Sequence, residues 1–204
     1  MRTPPSRRWH GVAADDRRAS RRQRILDAGT ELLGTTGGKS VTVRALCRTA
    51  GVTERYFYES FSSRDELVAA VFAEMANEVM SHMSEVVTAA PTNVADRARV
   101  FIAGAIDFFS EDPRRGRVLV REAMTEQALT QQGLHAAPTL LGTLLEDVIG
   151  PTQDPDSQLL TGAVLGLGIG ALIVAWLDGQ VDVTRDTLVE HCAQLIERAV
   201  VTRS

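Results

Sequence analysis

TVRALCRTAGVTERYFYESF, residues 42–61, reads as two short helices joined by a tight turn at Gly51. Three features carry that reading. Cys47 is small where the two helices must touch, Gly51 supplies the turn, and Val43, Leu46, Val52 and Phe57 form an apolar inner set. Thr53, Glu54, Arg55, Tyr56 and Tyr58 are left on the outside of the second helix. This is the layout of a helix-turn-helix, which sets its second helix in the DNA major groove.

The charge distribution points the same way. The chain carries a formal net charge of -4, but residues 1–64 hold 13 Lys+Arg against 6 Asp+Glu. Residues 65–204 hold 9 against 20. A basic end on an acidic body is the footprint of a DNA-binding head with a remainder that does not bind DNA.

Helical periodicity runs outward from the motif. Residues 1–19 are rich in Arg, Pro and Gly without a period, and are expected to be a disordered basic arm. Ser20 opens a helix with a stripe at Ile25, Ala28 and Leu32 that ends at Gly37-Gly38. Thr42 and Thr53 are expected to cap the two motif helices. Ser63, with Glu66 three residues on, has the spacing of a capping box. Val68, Val71, Phe72, Met75, Val79, Met83 and Val86 mark the next helix, and Phe101 to Phe109 another. Helices over about 113–128, 135–149, 155–178 and 184–202 complete the expectation. No convincing period-two run occurs, so the fold class is all-α with about nine helices. Residues 20–65 form the helix-turn-helix domain and residues 66–204 a larger helical body.

The context of the motif is more specific than the motif. A helix ending in Gly-Gly precedes it. Tyr58-x-x-Phe61 and then Ser63-Arg64-x-Glu66-Leu67 follow it. This arrangement resembles the N-terminal domain of the TetR family of bacterial transcriptional regulators, over about residues 20–72. The resemblance implies a homodimer on a palindromic, double-stranded operator, released when a small ligand enters the C-terminal domain. Repression is the family habit. Two departures stand out: Cys47 where members usually have Ala, and Arg64 where they usually have Lys. Tyr56 is bulkier than the residue often found there, so no operator sequence is carried over.

Expected roles follow. Thr53 caps the second helix, whose backbone N–H groups are placed to meet a phosphate. The planar fork of Arg55 matches the O6/N7 edge of guanine, and Tyr56 suits a thymine methyl or a phosphate. By family position Tyr58 and Arg64 are phosphate binders. Thr42 and Arg44 reach the DNA backbone, and Glu54 lies on the same outer face. Arg7, Arg8, Arg17, Arg18, Arg21 and Arg22 belong to an arm of the kind that tracks phosphates or enters a minor groove. Each residue also has a plainer reading, as core or as solvated surface.

In the body, Leu159–Leu177 is 19 residues without a charge, long enough to span a membrane. Its glycines, its acidic flanks and the lack of a nearby Lys/Arg cluster favour a buried interface helix. Gly162, Gly166 and Gly170 lie four residues apart. With Leu188, Leu195 and Ala199 of the last helix they make the expected dimer interface. The resemblance places a ligand among the middle helices. Met75, Met83, Phe101, Phe108 and Met124 are the apolar candidates, and His82, Glu122 and His135 the polar anchors. Ordinary core packing explains the apolar set equally well.

An enzyme is not expected. The four histidines are scattered, and no nucleophile elbow, metal spacing or P-loop occurs. No cofactor or metal is expected. Cys47 and Cys192 form no C-x-x-C, and no secretory h-region is evident, which fits a cytoplasmic protein. The rival reading is a DNA-bound structural or protein-recruiting factor of the same fold with no small-molecule effector.

Overall fold

The computed structural model describes residues 9–126, 129 and 155–201, which form helices joined by short turns, with no strand among the described residues. Helix α1 (Trp9–Thr36) leads into a 3-10 turn (Gly38–Ser40), then α2 (Val43–Ala50), α3 (Glu54–Tyr58) and α4 (Arg64–Thr88). Next come α5 (Val94–Glu111), α6 (Pro113–Gly116), a π-helical turn (Arg117–Glu122) and α7 (Ala123–Thr125). The last two described helices are α8 (Pro155–Leu177) and α9 (Arg185–Val201).

Local chemistry sets the boundaries. Thr42 Oγ1 accepts from the Ala45 N–H at 3.1 Å and starts α2. Ser63 Oγ accepts from the Glu66 N–H at 3.1 Å, while Glu66 returns its carboxylate to the Ser62 N–H at 2.6 Å. The capping box is therefore present, with the carboxylate reaching one residue further back than usual. The Ser62 hydroxyl, which donates to the same carboxylate, and then the Ser62 N–H hold the Glu66 carboxyl below its usual pKa. Asn93 caps α5, and Asp112 with Pro113 starts α6.

Two apolar cores form. The head core gathers Ile25, Leu33, Leu46, Phe57, Phe61 and Leu67 around α1 to α4. The body core gathers Ile102, Ile106, Phe108, Ile173, Cys192 and Ile196 from α5, α8 and α9. Each fully buried large side chain contributes about 1.5–3 kcal/mol through the water it sheds. Helix α4 serves both, with Leu67 to Ala76 in the head core and Val87 in the body core. Arg99 of α5 ties α9 to the body by pairing with Glu190 at 2.8 Å.

Three expectations change. Residues 9–19 lie in α1 instead of a disordered arm. From Val12 to Ser20 no Gly or Pro interrupts a run rich in Ala and Arg, and such residues sustain a helix. The helix expected over 113–128 runs without interruption from Pro113 to Thr125, but it is π-wound over Arg117–Glu122. The Gly162, Gly166 and Gly170 stripe faces inward: Gly162 is buried, and Gly166 and Gly170 line an internal cavity. The helix expected at 135–149 lies outside the described residues.

The outer face of α8 is instead Leu160, Val164, Gly168 and Ala171, all exposed, with Val164 at 72%. Leu195 of α9, 36% exposed, is apolar surface as well. By length and composition Leu160–Leu177 is long and apolar enough to cross a membrane, the one such helix among the described residues.

Candidate nucleic-acid interface and apolar cavity

Helices α2 and α3 are held by their inner faces. Leu46, Cys47 and Ala50 of α2 are buried, as is Phe57 of α3. Gly51 has φ 64° and ψ 40°, the left-handed conformation that glycine adopts without a Cβ penalty. The Val52 N–H then returns to Cys47 O at 3.0 Å, closing the turn. Burial holds the Cys47 thiol above its usual pKa, with Glu54 adding to the shift, so the group is neutral packing.

The outer face is open. The Arg55 side chain is 85% exposed and is steered by Glu59, whose Oε1 lies 3.1 Å from its Nε. Tyr56 and Tyr58 are exposed, and Tyr58 sets its ring edge-on to Phe57 at 5.3 Å. Thr42, Arg44, Thr53 and Glu54 are exposed beside them. The Thr53 hydroxyl makes no cap bond, unlike that of Thr42, which leaves it available. Arg21 lies over the Tyr56 ring and Arg22 over the Phe61 ring, each 4.6 Å from the centroid. Helix α1 thereby adds cations directly behind the recognition helix.

Arg64 stands apart from this face. Its Nε donates to Val41 O at 2.7 Å and its Nη2 to Gly38 O at 2.7 Å. Nη1 and Nη2 also meet the Glu126 carboxylate at 3.0 and 2.8 Å. Asp65 takes another bond. The Glu126 bonds and those from Asp65 raise the Arg64 pKa. The guanidinium is occupied within the protein, which the sequence could not show because Glu126 lies 62 residues away.

The body holds a cavity of about 130 Å³ between α4, α5, the π turn and α8. Met83 and Phe101 line it as expected, joined by Leu119, Val120, Leu165 and Ile173. The other expected ligand residues are elsewhere. Met75 is in the head core. His82 and Phe108 face a separate groove between α4 and α5, their ring centroids 5.3 Å apart. Glu122 accepts from the Gly38 N–H, and Met124 is exposed at 69%. His135 lies outside the described residues. Sequence reading missed Leu119 and Val120 because the π turn alters which side chains of that helix face inward.

Residues 25–71 match the family described as bacterial regulatory proteins, tetR family. The chain is 26% identical over 162 residues to the HTH-type transcriptional regulator AlkX of Mycobacterium tuberculosis, covering 76% of this chain and 75% of that protein. It is 29% identical over 109 residues to the nucleoid occlusion factor SlmA of Marinobacter nauticus, covering 53% of this chain and 55% of that protein. Among solved structures, it is similar to a TetR-like transcriptional regulator from Rhodococcus sp. RHA1, with a TM-score of 0.60 at 21% identity over 89% of this chain and 93% of that one. A family regulator from Shewanella sp. PV-4 gives a TM-score of 0.67 at 15% identity over 88% and 97%. With the helix-turn-helix built as described, residues 25–71 carry the N-terminal head of bacterial regulatory proteins of the tetR family, and the chain shares the all-α fold of the solved structures.

Proposed function

We propose that the protein is a homodimeric transcriptional repressor that binds a palindromic operator and releases it when a small apolar molecule enters the body cavity. The observation that carries this reading is the pairing of an open recognition face in the head with an apolar cavity in the body. Arg55, Tyr56 and Tyr58 are exposed on α3. In this reading Arg55 reads a guanine edge and Tyr56 a neighbouring base or phosphate. Tyr58, Thr42, Arg44 and Thr53 take phosphates, with Arg21 and Arg22 adding positive charge from α1. Arg64 is left out of the phosphate set, because Glu126 and two carbonyls occupy it. A cavity of about 130 Å³ suits a small ring or one end of an alkyl chain.

Selection of bound duplexes from a random pool by the full chain tests the reading. The expected product is two inverted half-sites about one helical turn, or a multiple of it, apart. Arg55→Ala is expected to cost about 1–3 kcal/mol and to relax preference at one position per half-site. Enrichment of no common sequence, with only salt-sensitive binding, would end the operator reading.

The second reading is a DNA-bound structural or protein-recruiting factor without an effector. It draws on the similarity to proteins named nucleoid occlusion factor SlmA. It expects DNA affinity to be indifferent to every small apolar molecule tried.

A further inference from the structure

The segment from Pro113 to Glu126 lies between the two cores. Val118 is fully buried in the head core, Val120 packs against the body core, and Leu119 touches both. Its other side meets the head through a row of polar contacts. Arg114 pairs with Glu31 at 2.8 Å, and Arg117 donates to Thr35 O at 2.5 Å. Glu122 accepts from the Gly38 N–H at 2.8 Å, and Glu126 holds Arg64 at 2.8 Å. The Gly37-Gly38 pair is shaped for the two carboxylates. A Cβ on Gly37 would lie 3.0 Å from Glu122 Oε1, and one on Gly38 would collide with Glu126 Oε2. Gly37 also has φ 81°, which a side chain would strain.

The π turn decides which residues make that row. An i→i+5 turn sets residue 122 above residue 117, where an α-helix would set residue 121. Glu122 therefore faces Gly38, and Arg121 turns away to pair with Asp178. If the turn tightened to α, the chain beyond it would rotate by about 100° per residue of slip. Arg121 would then stand where Glu122 stands, facing Gly38, and Thr125 would replace Glu126. Both carboxylates would leave the head together.

We propose that the π turn 117–122 is a register switch: it presents Glu122 and Glu126 as a clamp on Gly38 and Arg64, and material filling the cavity behind Leu119 and Val120 drives a one-residue slip that unclamps the DNA-binding head. This rests on the reading of the cavity as the effector site. Leu119 and Val120 both line that cavity, so pressure there acts on the turn itself. Single π turns inserted in α-helices are rare and recur at functional sites.

The test replaces the unidentified effector by a side chain. Ala105 lines the cavity from α5, and Ala105→Phe fills it. Affinity for a duplex selected by the wild-type chain is measured by fluorescence anisotropy in four proteins: wild type, Ala105→Phe, Glu122→Ala/Glu126→Ala, and the triple variant. Thermal melts check that each one folds, and Leu119→Phe is the second filler if Ala105→Phe does not. Filling is expected to weaken binding at least tenfold and to speed amide hydrogen exchange over residues 37–41. In the clamp variant, filling is expected to change affinity less than twofold. If filling weakens binding by the same factor in both backgrounds, the clamp proposal is overturned and the effector reading stands. If filling leaves DNA affinity unchanged in the wild-type background, both fall.

Discussion

At the residue scale, the recognition face depends on one buried ring. Phe57 has no exposed surface and sits against Phe61 and Tyr58, at centroid distances of 5.9 and 5.3 Å. Removing it leaves a cavity under α3, a helix of only five residues that cannot hold its shape without tertiary support. Phe57→Ala is expected to cost about 3–5 kcal/mol, read as a shift of the urea midpoint. An unchanged midpoint would mean that α3 is held by something other than its core ring. Arg64 shows the opposite relation between residue and role. Its position in the Ser-Arg-x-Glu-Leu pattern is that of an expected phosphate ligand, yet its donors go to Val41 O, Gly38 O and Glu126. No local signal marks that partner.

At the element scale, α5 and α9 are joined by a charge contact whose strength depends on pH. Arg99 donates to both oxygens of Glu190, at 2.8 and 3.1 Å. With help from Gln194, this pulls the Glu190 pKa down to about 2. In the unfolded chain the same carboxyl titrates at about 4.3. A depressed carboxylate adds stability above its unfolded pKa, and that stability fades as pH falls toward the folded value. Arg99→Met should therefore lower urea stability at pH 7, and the gap to wild type should narrow between about pH 5 and pH 2. A gap that stays constant across that range would show that Arg99 acts by packing alone. The same scale explains why α1 is longer than its sequence reading. Helical continuity over 12–19 needs only an unbroken run of permissive residues, whereas the Arg-rich composition pointed to an arm.

At the scale of the whole molecule, α8 leaves an apolar strip at Leu160, Val164, Gly168 and Ala171 that is exposed among the described residues. Contiguous apolar surface of this kind is typical of interaction sites, and the proposed palindromic operator asks for a second copy. Val164→Glu places a charge on a side chain 72% exposed, so the monomer's own core is untouched. Sedimentation should find wild-type dimers and variant monomers, with affinity for a two-half-site duplex lowered at least tenfold. A variant that remained dimeric would move the interface off this face. Gly162, Gly166 and Gly170 show what spacing alone leaves open. A four-residue repeat identifies one side of a helix, but not whether that side meets the chain's own core or a partner. Here the small residues admit Val120 and the cavity, with Val120 Cγ2 3.6 Å from where a Gly170 Cβ would stand.

The sequence by itself determined the all-α class, the two motif helices with their turn at Gly51, the caps at Thr42 and Ser63, and the side of α3 that faces outward. These depend on contacts within a few residues, where period, capping chemistry and glycine conformation act directly. Tertiary structure alone decided that Arg64 is held by Glu126, that Leu119 and Val120 wall the cavity, and that the glycines of α8 turn inward. Each of those depends on groups tens of residues apart being brought within a few ångströms. The π turn is the clearest case, because one extra residue in a helical turn reassigns every side chain after it, and no local pattern in RVLVRE announces it.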